Sequence, residues 1–201
     1  MLPILFHAAL GYLSSSILFA RVAAALLHRQ DQLQQSRDGN PGTANAFMHG
    51  GFLCGLLTLS GDLLKGFVPV QLYMHNAGTD AGLALVLAAP VLGHAFPLFY
   101  GFRGGKGIAV TFGVLLGLLP TPGPAAVLAC FFLLFTLVIR ITPNRQMTAV
   151  TYLCTLAGMA VLKLSPGVCA GFAVITAAVL LRLHLSPEAR EPMHIRLPHI
   201  R

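Results

Sequence analysis

The run LPILFHAALGYLSSSILFARVAAALL, residues 2–27, decides the fold, because it holds no Asp, Glu, Lys or Arg before Arg21. A helix that crosses a bilayer needs roughly 20 largely apolar residues, and this run supplies them. It has no basic segment ahead of it and is longer than the apolar region of a secretory signal, so it reads as a retained first span. Composition agrees: of 201 residues, 56% are hydrophobic and 9% are Asp, Glu, Lys or Arg. A soluble globule carries about 25% charged residues to coat its surface. So few charges exclude an ordinary cytosolic enzyme and leave lipid as the solvent.

Further apolar stretches follow near residues 51–74, 82–99, 108–119, 124–139, 147–164 and 167–183. The fourth segment is short, and Pro120-Thr121-Pro122-Gly123-Pro124 breaks the chain before the fifth, so these two read as a partial hairpin. Basic residues test the count, because they gather on the cytoplasmic side. With seven spans, the loops after the odd-numbered segments and the adjoining helix ends collect Arg21, Arg29, Arg37, Arg103, Lys106, Arg140, Arg145, Arg182, Arg190, Arg196 and Arg201. That is eleven of the thirteen basic residues; Lys163 lies on the opposite side and Lys65 inside the second span. The expected fold is an all-α, polytopic membrane bundle of about seven transmembrane helices, one domain over residues 1–201. Its N-terminus is expected outside and its C-terminus in the cytoplasm. Making segments four and five both re-entrant lowers the count to five and leaves the sidedness unchanged.

Orientation therefore accounts for the net charge of +7 (13 basic less 6 acidic). Nucleic acid is not an expected partner: no basic cluster interleaves with aromatics, and Trp is absent. Cys54, Cys130, Cys154 and Cys169 each sit in an apolar stretch without CxxC spacing, which indicates neither disulfides nor zinc. His184, His194 and His199 fit no metal-ligand spacing and read as a solvated basic end near anionic head groups. No metal or other cofactor is expected.

Chemistry is expected in the polar insertions. Between the first two segments lies Ser36-Arg37-Asp38-Gly39-Asn40-Pro41-Gly42-Thr43-Ala44-Asn45. It is either a plain solvated loop or a place where Gly39, Asn40, Gly42 and Asn45 bring N–H donors to an anion at the start of the next helix. After the third segment comes Gly93-His94-Ala95-Phe96-Pro97-Leu98-Phe99-Tyr100-Gly101-Phe102-Arg103-Gly104-Gly105-Lys106-Gly107. Here glycines flank a lysine just before a helix that opens near Ile108, which suits phosphate, although the Walker A spacing fails. Arg103, Gly104, Gly105, Lys106 and Gly107 are the candidate phosphate ligands, and a basic loop seated at lipid head groups is the plainer reading. Asp62 and Lys65, three apart in an apolar helix, share a face and read as a structural ion pair or as support for substrate. His94 is a candidate base or hydrogen-bond donor.

At these residues the chain resembles the PlsY family of bacterial integral-membrane acyltransferases. The family pattern G-H-x-[FY]-P-x-F-x-x-F-[KR]-G-G-K-G is met from Gly93 to Gly107. Its S-G-N-x-G-A-T-N motif is approximated by Asp38 to Asn45, and its D-x-x-K-G element by Asp62-Leu63-Leu64-Lys65-Gly66. Departures are equally definite: Asp38 replaces a serine, Ala44 a threonine and Met48 an arginine, and the late R-H-x-x-N-I motif is not recognisable around Arg182 and His184.

The resemblance implies transfer of an acyl group from acyl phosphate to the 1-hydroxyl of glycerol 3-phosphate. Lysophosphatidic acid and phosphate are the implied products, in the first step of phospholipid synthesis. It further implies a bacterial inner-membrane location, an active site facing the cytoplasm, no metal and no coenzyme A, and an upstream enzyme that forms the acyl phosphate. His94 and Lys106 are the candidate catalytic residues; the base is either His94 or a substrate phosphate oxygen, and the resemblance favours the phosphate. No G-x-S-x-G occurs, which speaks against a nucleophilic serine. The rival readings are a noncatalytic relative or a transporter that binds a phosphorylated lipid in the same pocket; no internal repeat supports transport.

Overall fold

The computed structural model describes residues 1–34, 40–76, 79–187 and 191–197. Arg37, Arg190, His199 and Arg201 lie outside the described residues. Among the described residues the chain forms α1 (Leu2–Ser15), α2 (Phe19–Leu26), α3 (Gln30–Gln34), α4 (Thr43–Gly50), α5 (Phe52–Asn76), α6 (Asp80–Ala95), α7 (Ile108–Leu116), α8 (Gly123–Leu133), α9 (Asn144–Val161) and α10 (Pro166–Leu185). Two short strands, β1 (Arg140–Thr142) and β2 (His194–Arg196), complete it. Every apolar segment read from the sequence is helical over most of its length. By length and composition α5, α6 with the turn after it, and α10 are able to cross a membrane, and α1 with α2 makes a fourth span if the bent pair is counted as one. The chain is a membrane protein.

The first segment is not one straight helix: α1 and α2 meet at a bend of 41°. Serine explains the break. Ser16 Oγ donates to the Tyr12 carbonyl at 2.9 Å, in the back-bonding geometry that loosens a helix, and accepts the Leu98 amide at 3.2 Å. The break leaves the Ile17 carbonyl without a helical partner, and Lys65 Nζ donates to it at 2.8 Å. A matching repair occurs in α5. Pro69 lacks the N–H that would reach the Lys65 carbonyl, so Ser15 Oγ supplies that hydrogen bond at 3.2 Å. Two irregularities in neighbouring helices thus lock onto one lysine.

Small residues set the helix spacing, as membrane packing requires. A side chain at Gly66 would press on the Val110 carbonyl, and one at Gly113 on the Leu63 carbonyl, so α5 and α7 touch backbone to backbone. The core around Val86, Leu87, Val114, Leu128, Phe172 and Ile175 packs α6 against α7, α8 and α10. Tyr152 on α9 stacks on Phe172 with centroids 5.6 Å apart and donates its hydroxyl to Thr111 Oγ1 at 2.9 Å. At one end of this core, Asp80 accepts the Gly167 amide at 3.0 Å and ties α6 to the start of α10.

At the other end the strands pair antiparallel, Arg140 opposite Arg196 and Ile141 opposite Ile195. Gln146 Nε2 adds a hydrogen bond to the Glu191 carbonyl at 2.7 Å. This ribbon was not expected, because three-residue strands leave no readable alternation. It returns the segment after α10 to the rim of a large cavity.

Candidate active site

That cavity holds about 990 Å³ and opens among α4, α5, α7, α9 and the loop after α6. Its walls bring together most of the candidates: Asn40, Gly42, Asn45, Asp62, His94, Lys106 and Gly107. The first turns of three helices line it, through Thr43 and Ala44 of α4, Ile108 and Ala109 of α7, and Asn144 of α9. A first helical turn carries N–H groups without intrahelical acceptors and the positive end of the helix dipole. Converging three such ends beside a lysine makes a strongly anion-favouring chamber. Leu59, Phe112 and Met147 supply an apolar side to the same space.

The two polar insertions, expected on one side of the membrane, meet here. Asn45 Nδ2 donates to the Asn40 carbonyl at 2.8 Å, closing the first insertion onto α4. Thr43 Oγ1 donates to Asp62 Oδ2 at 3.4 Å, joining that insertion to α5. A side chain at Gly105 would sit 3.2 Å from Asn40 Oδ1, so the second insertion lies directly against the first. Asp62 and Lys65 pair at 2.8 Å with both side chains 2% exposed, and Lys65 Nζ also lies 2.9 Å from His94 Nδ1. Lys65 stands behind the wall, while Asp62 and His94 form part of it.

Three candidates are placed otherwise than the loop pattern suggested. Gly104 and Gly105 do not line the cavity, and their amides are already bonded: Gly104 N–H to the Ala95 carbonyl at 3.2 Å and Gly105 N–H to the His94 carbonyl at 3.1 Å. Their lack of a side chain serves a neighbour instead, since a Cβ at 104 would overlap the His94 carbonyl and one at 105 would meet His94 Nε2. Arg103 is exposed and off the cavity wall. Gly39, and Asp38 beside it, lie outside the described residues. Gly107 lines the cavity as expected, with a positive φ of 79° that a glycine adopts without strain as it turns the chain into α7.

Sequence reasoning missed Arg182, which it used only to assign sidedness. Its Nε and one terminal nitrogen both donate to the Gly104 carbonyl, at 3.0 and 2.6 Å, clamping the loop from α10. A basic residue in the last turn of a span was the available signal. Asn144 was missed because Thr142-Pro143-Asn144 was left outside the sixth segment, although a proline just before a helix is a start signal. Met48, where the resembled family has arginine, and the adjacent His49 both line the cavity, as do Pro187 and Glu191 from beyond α10.

A membrane-embedded bundle with an anion-favouring chamber and an apolar flank is suited to a substrate that is both lipid and phosphate. The comparisons make this specific. The family model described as glycerol-3-phosphate acyltransferase matches residues 5–190. The glycerol-3-phosphate acyltransferase of Thioalkalivibrio sulfidiphilus is 41% identical over 143 residues, 71% of this chain and 66% of that protein. The Burkholderia orbicola relative of the same name is 37% identical over 67% of this chain and 64% of its own length. These matches thus span just under two thirds of those two relatives. The crystal structure of PlsY, an integral membrane glycerol 3-phosphate acyltransferase, in its glycerol 3-phosphate form superposes with a TM-score of 0.77 at 29% identity, covering 90% of this chain and 88% of that one. Its lysophosphatidic acid form gives a TM-score of 0.73. The chain belongs to the glycerol-3-phosphate acyltransferase family.

Proposed function

We propose that the protein transfers an acyl group from acyl phosphate to the 1-hydroxyl of glycerol 3-phosphate, releasing lysophosphatidic acid and phosphate. The observation that carries this reading is one cavity lined both by Lys106 with three helix N-terminal turns and by the apolar Leu59, Phe112 and Met147. Two phosphate-bearing substrates, one with a long acyl chain, need both surfaces at once. An acyl phosphate is a mixed anhydride and is already activated, so holding the two reactants in register supplies much of the rate.

In the step itself the acceptor hydroxyl oxygen bonds to the acyl carbon and the bond from that carbon to the phosphate oxygen breaks. Phosphate leaves with the electron pair and takes the hydroxyl proton, which needs no covalent enzyme intermediate. Lys106, the Gly107 backbone and the first turns of α4, α7 and α9 neutralise phosphate charge, while Asn40, Gly42 and Asn45 shape the wall where the first insertion enters α4. Gly104, Gly105 and Arg182 hold the loop that carries Lys106, and Asp62 with Lys65 holds His94. Arg103 is solvent-facing and serves as a long-range attractor for anionic substrate.

The same reading places the protein in a bacterial inner membrane, its N-terminus outside and the cavity open to the cytoplasm. The helical hairpin of α7 and α8 returns the chain to the cytoplasmic side whether it crosses fully or not. Membrane lipids are its surroundings, and a reaction that joins a fatty acyl group to phosphate must supply the donor. The deciding experiment offers the purified protein glycerol 3-phosphate with either palmitoyl phosphate or palmitoyl-CoA. Lysophosphatidic acid from palmitoyl phosphate alone is expected; no product from either donor, with the protein folded, would overturn the proposal.

A further inference from the structure

The start of α9 serves two cavities. Asn144, Met147 and Thr148 line the reaction cavity, whereas Arg145, Gln146 and Ala149 line a second, smaller one of about 340 Å³. Helical spacing accounts for the division, because residues three and four apart share a face and immediate neighbours do not. The end of α10 closes the smaller cavity with Leu180, Leu183 and His184, which again share one face.

The lining is divided in its chemistry. Arg145, half-buried, carries a guanidinium whose fork of N–H donors fits two oxygens of one phosphate, and Gln146 and His184 add polar groups from either helix. Leu183 is buried, and Leu180 and Ala149 are partly so, which makes the floor apolar. Arg182, two residues before His184, turns the other way to the Gly104 carbonyl. The last turn of α10 thus sends one basic side chain to the active-site loop and the next to this cavity.

Position narrows the ligand. α10 is long and apolar enough to cross a membrane, so its last turn, with His184, reaches the boundary between lipid and water. Leu153 of α9 and Leu181 of α10 are exposed on the same two helices, and Leu153 lies about 6 Å deeper along α9 than Ala149. A free anion uses only the basic mouth; a phospholipid uses the mouth and the leucines together. Basic pockets between membrane helices suit anionic head groups.

We infer that the cavity between the start of α9 and the end of α10 binds one anionic phospholipid, its phosphodiester on Arg145 beside Gln146 and His184 and its acyl chains along Leu153 and Leu181. The site is separate from acyl transfer and does not rest on it. It does adjoin the reaction cavity: Gln146 Nε2 donates to the carbonyl of Glu191, a residue of that cavity's rim, at 2.7 Å, so the bound lipid steadies the turn of α9 to which the rim is tied.

Native mass spectrometry of the full chain, in detergent holding equal amounts of phosphatidylglycerol and phosphatidylcholine, tests this. One phosphatidylglycerol per chain is expected in preference to phosphatidylcholine. Arg145→Ala combined with His184→Ala should cut its retention at least about tenfold, the scale of one hydrogen bond to a charged group. Ala149→Phe, which fills the cavity and keeps both basic side chains, should do the same, with thermal melting to show that each variant is folded. Equal retention of the two lipids would overturn the inference. So would an equal loss in Arg103→Ala, which removes a basic residue elsewhere and would assign the effect to net charge. Inorganic phosphate separates the free ion from the head group: phosphate bound at Arg145 with no phosphatidylglycerol retained would make this a phosphate site and refute the lipid.

Discussion

Two stretches of the cavity wall are held in different ways. The wall from His94 to Gly107 is braced on every side: Arg182 and the Ala95 and His94 carbonyls hold its glycines, and Lys65 holds its histidine. The wall from Asn40 to His49 is held locally: the Gly42 amide and Asn45 Nδ2 both donate to the Asn40 carbonyl at 2.8 Å, and Thr43 Oγ1 donates to Asp62 at 3.4 Å. Among the described residues, the early departures from the resembled family pattern, Ala44 and Met48, fall on this second wall. The braced wall meets the pattern in full. Geometry that must be held within a fraction of an ångström tolerates little change, while a wall that mainly contributes charge and shape accepts substitution at smaller cost.

If the walls differ in this way, Gly104→Ala should have the largest effect. Its Cβ would overlap the His94 carbonyl and displace the loop, and a shift of about 1 Å costs about 10²-fold in activity. A steady-state assay beside thermal melting checks it; a folded, fully active variant would remove the case for a braced wall. Lys106→Ala should lose at least about tenfold in kcat/KM, roughly 1.4 kcal/mol of transition-state stabilisation. Arg182→Gln, which surrenders the clamp on the Gly104 carbonyl and leaves the cavity lining intact, should lose about fivefold, in line with a net hydrogen bond of about 1 kcal/mol. On the other wall Met48→Arg should leave activity unchanged or raise it by less than about threefold, since an exposed side chain at the cavity edge gains a charge in contact with water. A tenfold loss in Met48→Arg would show that the second wall is as demanding as the first.

Much of this was legible in the sequence, for reasons that differ by element. Apolar runs reported their helices because lipid demands continuous hydrophobicity, and basic residues put both polar insertions at one face, while the contact of Asn40 with the glycine loop appears only in the structure. The bend at Ser16 was hidden, because Ser14-Ser15-Ser16 is polar only through hydroxyls that bond back to the chain. The roles of Gly104 and Gly105 were misread: spacing shows that a backbone must be approached closely and is silent on whether substrate or a neighbouring carbonyl does the approaching. Arg182 escaped because its partner, a carbonyl 78 positions earlier, has no signature in the sequence.

The ribbon of β1 and β2 also bears on what a shortened chain would keep. Pro187 and Glu191 complete the cavity rim only after α10 is in place and β2 has returned to β1. Without that segment Lys106 and His94 would line a cavity missing one part of its rim. A chain cut before Pro187 is therefore expected to keep the rest of the cavity and to lack this part of its rim.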